Sequence, residues 1–153
     1  MAEFRHAQRH HDTPQRQDES PAISLIPNIR LTKPLNPELF NRIAHDAAKA
    51  VAYRDDGKPR VENKSTQLRR FYDEILLWES RSTQQPDKFD EFLPFIRMIN
   101  AKVAYAKGRR LVDQTFADLM QHSLSEVTNA ATLTTCKLFW EAFMGFYKLE
   151  HPE

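Results

Sequence analysis

The stretch that decides the fold is FDEFLPFIRMINAKVAYAKGRR, residues 89–110. Its apolar residues recur every three or four positions, the spacing that places side chains on one face of an α-helix. At about 100° per residue, one face about 100° wide comprises Phe95, Ile96, Ile99, Val103 and Ala106. The pattern predicts a helix that buries one side in a bundle of helices.

The second half of this stretch is basic, with five Lys or Arg residues from Arg97 onward and no Asp or Glu. Lys102 and Arg109 lie seven positions apart and therefore within about 20° of each other, at one edge of the apolar face. Tyr105 lies about 40° further round the helix. Phosphates favour point or forked positive charges, and a sugar or base favours a flat ring, so this surface is typical of nucleic-acid backbone binding. A solvated cationic face is the alternative.

A second amphipathic helix is predicted over residues 65–81, where apolar residues again follow the helical period. Arg69 and Arg70 point away from its apolar stripe, and Lys64 lies near its start. Cations near a helix N-terminus oppose the macrodipole, at a cost of roughly a few tenths of a kcal/mol each. A phosphate ligand would cancel this cost, which favours an anion-binding role.

Capping signals predict where the first two helices begin. Asn36 as N-cap, followed by Pro37 at the first helical position, predicts a helix that runs to about residue 53. Asn63 or Ser65 is the expected cap of the helix over residues 65–81.

Three more segments follow the same rules. The helix over residues 87–108 contains Pro94, which either kinks it or opens a fresh segment there, and Gly108 suits a left-handed C-cap. Asp113 is the expected N-cap of a fourth helix, and the most apolar helix covers about residues 130–150.

Composition supports helices throughout. Three glycines in 153 residues are too few for the many tight turns of an all-β chain, and no strand pattern is present. We therefore expect an all-α fold, a compact bundle of about five helices, over residues 35–153. Residues 1–34 are polar and punctuated by prolines, so they are expected to form a disordered or extended tail. Within this tail, residues 23–31 can lie in an extended form against a neighbour.

The formal net charge of +1 hides an internal split. Residues 1–110 hold 20 Lys or Arg and 15 Asp or Glu, whereas residues 111–153 hold two basic and six acidic residues. A molecule with one basic and one acidic end can bind a polyanion and also stack head to tail with copies of itself. An ordinary solvated surface is the alternative.

No catalytic constellation, glycine-rich phosphate loop or paired-cysteine motif is present, so we expect no enzyme, no cofactor and no metal site. His6, His10 and His11 lack partners at metal-ligand spacing and are interpreted as solvated tail residues. The single cysteine, Cys136, is interpreted as a small buried hydrophobe. No apolar run reaches about 18 residues and the N-terminus lacks an apolar signal core, so we expect no membrane partner and a cytoplasmic location.

Two sequence blocks carry a family resemblance. They are QLRRFY, residues 67–72, and AKVAYAKGR, residues 101–109, with a Leu-Pro pair at residues 93–94 between them. An aromatic run, KLFWEAF, follows at residues 137–143. In this order the blocks resemble the small subunit of the type III-A CRISPR (Csm) effector complex, and the similarity covers about residues 65–149.

This resemblance implies a short helical subunit without catalytic activity that takes part in antiviral defence. Several copies would stack in the inner filament, beside the Csm subunits that hold the guide RNA, and touch the target RNA as it pairs with the guide. The residues expected to bind RNA are Arg69 and Arg70 of the first block, Lys102, Tyr105, Lys107 and Arg109 of the second, and, from their neighbourhood alone, Lys64 and Arg110.

A helical protein-interaction adaptor without RNA binding is the alternative function. Under this hypothesis the aromatic helix over residues 130–150 is the working surface, with Trp140 or Phe143 on an exposed patch. Removal of charge would then do little, whereas substitution of these aromatic residues would abolish assembly.

Overall fold

The structure, a computed structural model, describes residues 21–151, which form helices and no strand. Residues 1–20 and 152–153 lie outside the described residues, and with them the three N-terminal histidines. The α-helices of the described range are α1 (Ala22–Leu25), α2 (Ala44–Ala52), α3 (Ser65–Gln84), α4 (Phe89–Arg97), α5 (Ile99–Gly108), α6 (Gln114–Ser125) and α7 (Ala130–Glu150). Short 3₁₀ turns occupy Ile26–Asn28 and Pro86–Lys88, and a π-helical turn occupies Leu39–Ile43. The prediction of an all-α bundle is confirmed.

Helix α7 lies at the centre of the bundle, packed against α2 and α3. It spans the predicted residues, and Asn129 caps it: the Asn129 side chain accepts a hydrogen bond from the backbone N–H of Thr132 at 2.8 Å. Trp140 and Phe143 are buried, with exposures of 1% and 0%. The exposed patch that the adaptor hypothesis requires at these two positions is therefore contradicted, because neighbouring helices cover the faces of α7 that carry them.

The stretch around residue 98 forms two helices, α4 and α5, instead of one. Pro94 lies inside α4, and the break comes four residues later at Met98. Because the helix is interrupted at Met98, angular positions counted around α5 do not apply to residues of α4. Phe95, which was expected on the buried face, is therefore 51% exposed. Its ring stacks on Trp78 of α3, with 5.5 Å between ring centroids. The other four residues predicted on this face, Ile96, Ile99, Val103 and Ala106, are buried.

The end of α5 is a Schellman motif centred on Arg110, not on Gly108. Gly108 is the last helical residue, and Arg110 takes the left-handed conformation with φ 61°. The Leu111 N–H bonds to Ala106 O at 2.9 Å and the Arg110 N–H bonds to Lys107 O at 2.9 Å, the pair of bonds that defines this motif. The helix ends at Gly108 as predicted, but the left-handed conformation expected at Gly108 was wrong, because the chain reverses two residues later, at Arg110.

Residues 21–34 belong to the bundle. Ala22, Ile29 and Leu31 are at most 1% exposed, and α1 packs against α6 and α2. The His122 ring nitrogen Nε2 lies 2.6 Å from Ile29 O and fastens this segment to α6. The expectation of a disordered or extended tail was therefore wrong for these residues, because their apolar side chains are buried where α1 packs against α6 and α2. For residues 1–20 the same expectation lies outside the described residues.

One helix start is displaced from its predicted position. Asn36 Oδ1 accepts a hydrogen bond from Glu38 N at 2.9 Å, so it closes a local turn, and the helix begins only at Leu39 with Glu38 as its N-cap. By contrast, Asp113 caps α6 as predicted, because its Oδ1 accepts a hydrogen bond from Phe116 N at 3.0 Å.

Asn63 connects three parts of the bundle through hydrogen bonds and is not a helix cap. Lys64 occupies the capping position of α3, without a side-chain hydrogen bond. Asn63 has φ 64° and 0% exposure. Its Nδ2 donates to Val51 O at 3.1 Å, and its Oδ1 accepts from Asp113 N at 2.9 Å. The Tyr147 hydroxyl donates to the Asn63 carbonyl oxygen. The end of α2, the start of α6 and the end of α7 thus meet at one residue, the first two at its side chain and the third at its carbonyl oxygen.

Candidate nucleic-acid interface

A shallow groove of about 260 Å³ runs between α3 and α5. Its lining residues are Gln67, Arg70, Phe71, Glu74, Lys102, Tyr105, Ala106, Arg109 and Leu111. We call it the α3–α5 groove. Four of the eight residues predicted to bind RNA, Arg70, Lys102, Tyr105 and Arg109, line it together, although they come from two separate sequence blocks.

Lys102 is paired inside this groove. Its Nζ lies 2.6 Å from Glu74 Oε1, and the two side chains are 48% and 17% exposed. Lys102 is half-exposed and can also reach an anion in solvent, whereas the Glu74 carboxylate that holds it is largely buried. The pair compensates part of the positive charge of Lys102.

Tyr105 and Arg109 form the most accessible part of the groove. Tyr105 is 67% exposed. The Arg109 Nη1 donates to the Tyr105 hydroxyl at 3.3 Å, and the guanidinium carbon lies 5.8 Å from the ring centroid. No carboxylate oxygen of the described residues lies within 4 Å of this guanidinium. One exposed ring and one cation without a carboxylate partner therefore stand side by side.

Arg69 and Arg70 face different grooves, because consecutive helical residues diverge by about 100°. Arg70 lines the α3–α5 groove, whereas Arg69 lines a larger cavity of about 600 Å³ between α3 and α7. Arg69 Nε lies 3.5 Å from Asp73 Oδ1, and its guanidinium lies over the ring of Tyr72. Burial, followed by the nearby Glu141 carboxylate, raises the pKa of Tyr72 above its ordinary value. The structure does not bring Arg69 into one site with Arg70.

The remaining three predicted residues lie outside the lining of the α3–α5 groove. Lys64 precedes α3, Lys107 lies in the last turn of α5, and Arg110 follows that helix. All three are exposed, and none has a carboxylate oxygen of residues 21–151 within 4 Å. Lys107 also complements the negative end of the α5 dipole, which accounts for part of its presence.

Glu74 is a groove residue that the sequence does not single out. It stands next to Asp73 on a polar face of α3 and belongs to no motif. The available signal was its spacing of four residues from Arg70, which places both on one face of α3. Only the approach of α5 shows that this face is the wall of a groove.

Other chemistry is not apparent in the described range. Among residues 21–151, no three His, Cys, Asp or Glu side chains are grouped so that they could hold a metal ion. Cys136 is fully buried, and burial raises the pKa of its thiol to about 12, so it is a neutral core side chain. No helix in this part of the chain has the length and apolar character needed to cross a membrane.

Comparison with known proteins gives one match. The family model described as Csm2 Type III-A matches residues 36–153, a range that includes both walls of the α3–α5 groove. Searches of curated proteins and of solved structures found no match. The matched range covers most of the chain and all of α2 to α7. The chain therefore belongs to the Csm2 Type III-A family and is a small subunit of a type III-A CRISPR effector complex.

Proposed function

We propose that this subunit holds RNA by contacts to the sugar–phosphate backbone, without reading its sequence and without catalysing a reaction. The observation that carries the proposal is the α3–α5 groove, where Arg70, Lys102 and Arg109 converge around the exposed ring of Tyr105. Cations bind phosphates irrespective of base identity, and an aromatic ring stacks on any base or packs on a ribose.

The geometry of α5 supports binding to more than one nucleotide. Lys102 lies in α5 and Arg109 directly follows its last residue, seven positions further on, or about 10 Å along the helix axis. Two charges at this distance reach different phosphates, and Tyr105 lies between them. A groove of this kind follows a strand instead of enclosing one phosphate.

Within the complex, the RNA held in this way is the target RNA as it pairs with the guide RNA. Guide–target pairing reads the sequence, so a subunit in this position does not need contacts to base edges. The chemistry of antiviral defence belongs to other Csm subunits, and this subunit works with them in the cytoplasm.

The proposal extends to stacking of several copies, head to tail, in the inner filament. Three large apolar side chains of α3, α4 and the α4–α5 junction, Leu77, Phe95 and Met98, are 45%, 51% and 46% exposed. Exposed apolar side chains of this size are a common feature of protein–protein interfaces. The opposite charges of the two parts of the chain add an orienting force between copies.

A helical adaptor without RNA binding is the second candidate function. The exposure of Leu77, Phe95 and Met98 favours it, since these apolar side chains are available to a protein partner, whereas Trp140 and Phe143 are buried. It leaves the convergence of three cations at the α3–α5 groove without an explanation.

The test is the salt dependence of RNA binding by the full chain. Lys102→Ala with Arg109→Ala is expected to weaken binding equally for several unrelated single-stranded RNA sequences. The slope of log affinity against log salt should shrink by about 0.7 for each phosphate that the variant no longer binds. Lys49→Ala, which removes an exposed cation from α2, outside both walls of the groove, is the control. An unchanged slope in the double variant would contradict the proposal and favour the adaptor.

A further inference from the structure

One carboxylate lies among the cations of the α3–α5 groove. Glu74 follows Arg70 by one helical turn on α3, and its Oε1 is 2.6 Å from the Nζ of Lys102 on α5. No other Asp or Glu of the described residues lines this groove. A groove that only had to bind a polyanion as tightly as possible would have no use for a negative charge in its wall.

We propose that Glu74 limits the affinity of the groove for RNA, as an internal counter-charge that competes with phosphate for Lys102. This inference rests on the proposed function, since it requires RNA to occupy the groove. In this role, Glu74 sets how readily the groove releases a bound RNA strand.

Competition follows from the short distance in the pair. A phosphate that approaches Lys102 also approaches the carboxylate that already holds its ammonium group, and like charges repel. The Glu74 side chain is only 17% exposed, so it cannot turn fully into solvent when the phosphate arrives, and water screens the repulsion incompletely. Arg70 and Arg109, by contrast, have no carboxylate of the described residues within 4 Å.

The opposite role for Glu74 is to position Lys102 for RNA, and two substitutions separate the roles. Glu74→Gln keeps the shape of the side chain and an oxygen that accepts a hydrogen bond from Lys102, but it removes the charge. Glu74→Ala removes both. A counter-charge predicts tighter binding in both variants, whereas a positioning residue predicts unchanged binding in Glu74→Gln and weaker binding in Glu74→Ala.

The test measures binding of a fluorescently labelled 20-nucleotide single-stranded RNA to the full chain by anisotropy, over a series of salt concentrations. We expect Glu74→Gln to bind roughly three- to tenfold more tightly at low salt. The slope of log affinity against log salt should steepen by about 0.7 if Lys102 then binds one more phosphate. Glu141→Gln is the matched control, because it makes the same charge change at an exposed residue of the α3–α7 cavity.

The outcomes separate this inference from the function on which it rests. If Arg109→Ala weakens binding while Glu74→Gln does not tighten it, the groove binds RNA and the role of Glu74 is overturned. If Glu141→Gln tightens binding as much as Glu74→Gln, the gain is a general effect of net charge and the role is again overturned. If neither Arg109→Ala nor Glu74→Gln changes affinity, the groove does not hold RNA and the proposed function fails with it.

Discussion

Substitution of Asn63 by alanine is expected to be among the most destabilising single changes outside the aromatic core. Asn63 is fully buried, and its side chain makes two hydrogen bonds to backbone groups, one to Val51 O at 3.1 Å and one from Asp113 N at 2.9 Å. Alanine leaves both groups buried without these partners. It also has to adopt a φ of 64°, which asparagine tolerates better than alanine does.

The magnitude follows from these three effects. Each buried backbone group left unsatisfied costs about 1–3 kcal/mol. A left-handed conformation costs a residue with a Cβ about 1–2 kcal/mol, and asparagine already bears part of this cost, so alanine adds only the remainder. We therefore expect Asn63→Ala to lower the free energy of unfolding by at least about 2 kcal/mol, a substantial part of the roughly 5–15 kcal/mol that stabilises a domain.

Urea denaturation followed by circular dichroism measures this change, and Asn63→Gly is the matched control. Glycine also lacks the two hydrogen bonds but adopts the positive φ without strain, so it should be about 1 kcal/mol less destabilised than the alanine variant. If the free energy of unfolding of the alanine variant lies within about 0.5 kcal/mol of the parent value, the range typical of surface substitutions, the stabilising role of the Asn63 side chain is refuted. Equal destabilisation of both variants would refute the contribution of the backbone conformation.

Three further outcomes are expected. Arg110→Gly should raise the free energy of unfolding by up to about 1 kcal/mol, because glycine suits φ 61°, while it lowers RNA affinity; thermal melting and anisotropy measure the two effects. Tyr105→Phe should keep RNA affinity and Tyr105→Ala should lower it by about 1–3 kcal/mol in the same binding assay, since stacking needs the ring. Burial raises the pKa of the Cys136 thiol in the folded protein to about 12, whereas the thiol of the unfolded chain ionises at about pH 8.5. The free energy of unfolding should therefore fall as pH rises above about 8.5. Urea denaturation at several pH values measures this fall, and Cys136→Ala, which lacks the thiol, is the control.

Much of the fold could be predicted from the order of residues. Helix α7 begins and ends where its apolar pattern indicates, and Asp113 starts α6 as predicted. These features depend on neighbours three or four positions away, so they are visible in a local reading. Local sequence rules failed where an interaction with a distant residue competes. Asn63 does not cap α3, because its side chain forms hydrogen bonds with the backbone of Val51 and Asp113 instead.

The candidate site shows the same division. Its cations and its tyrosine were visible in two sequence blocks, because a cluster of like charges without acidic neighbours is a local property. Their grouping was not visible: Arg70 joins Lys102 and Arg109, whereas the adjacent Arg69 faces α7.

The sequence by itself determined the helical class, the start of α6, the bounds of α7, and which residue types are available for binding a polyanion. Tertiary structure alone decided that α3 and α5 lie side by side, so that Glu74 meets Lys102 across 28 positions of chain. The physical reason is that helical period and capping act over a single turn. The partner of an exposed charge depends on which helices pack together, and that is set by burial of the whole core.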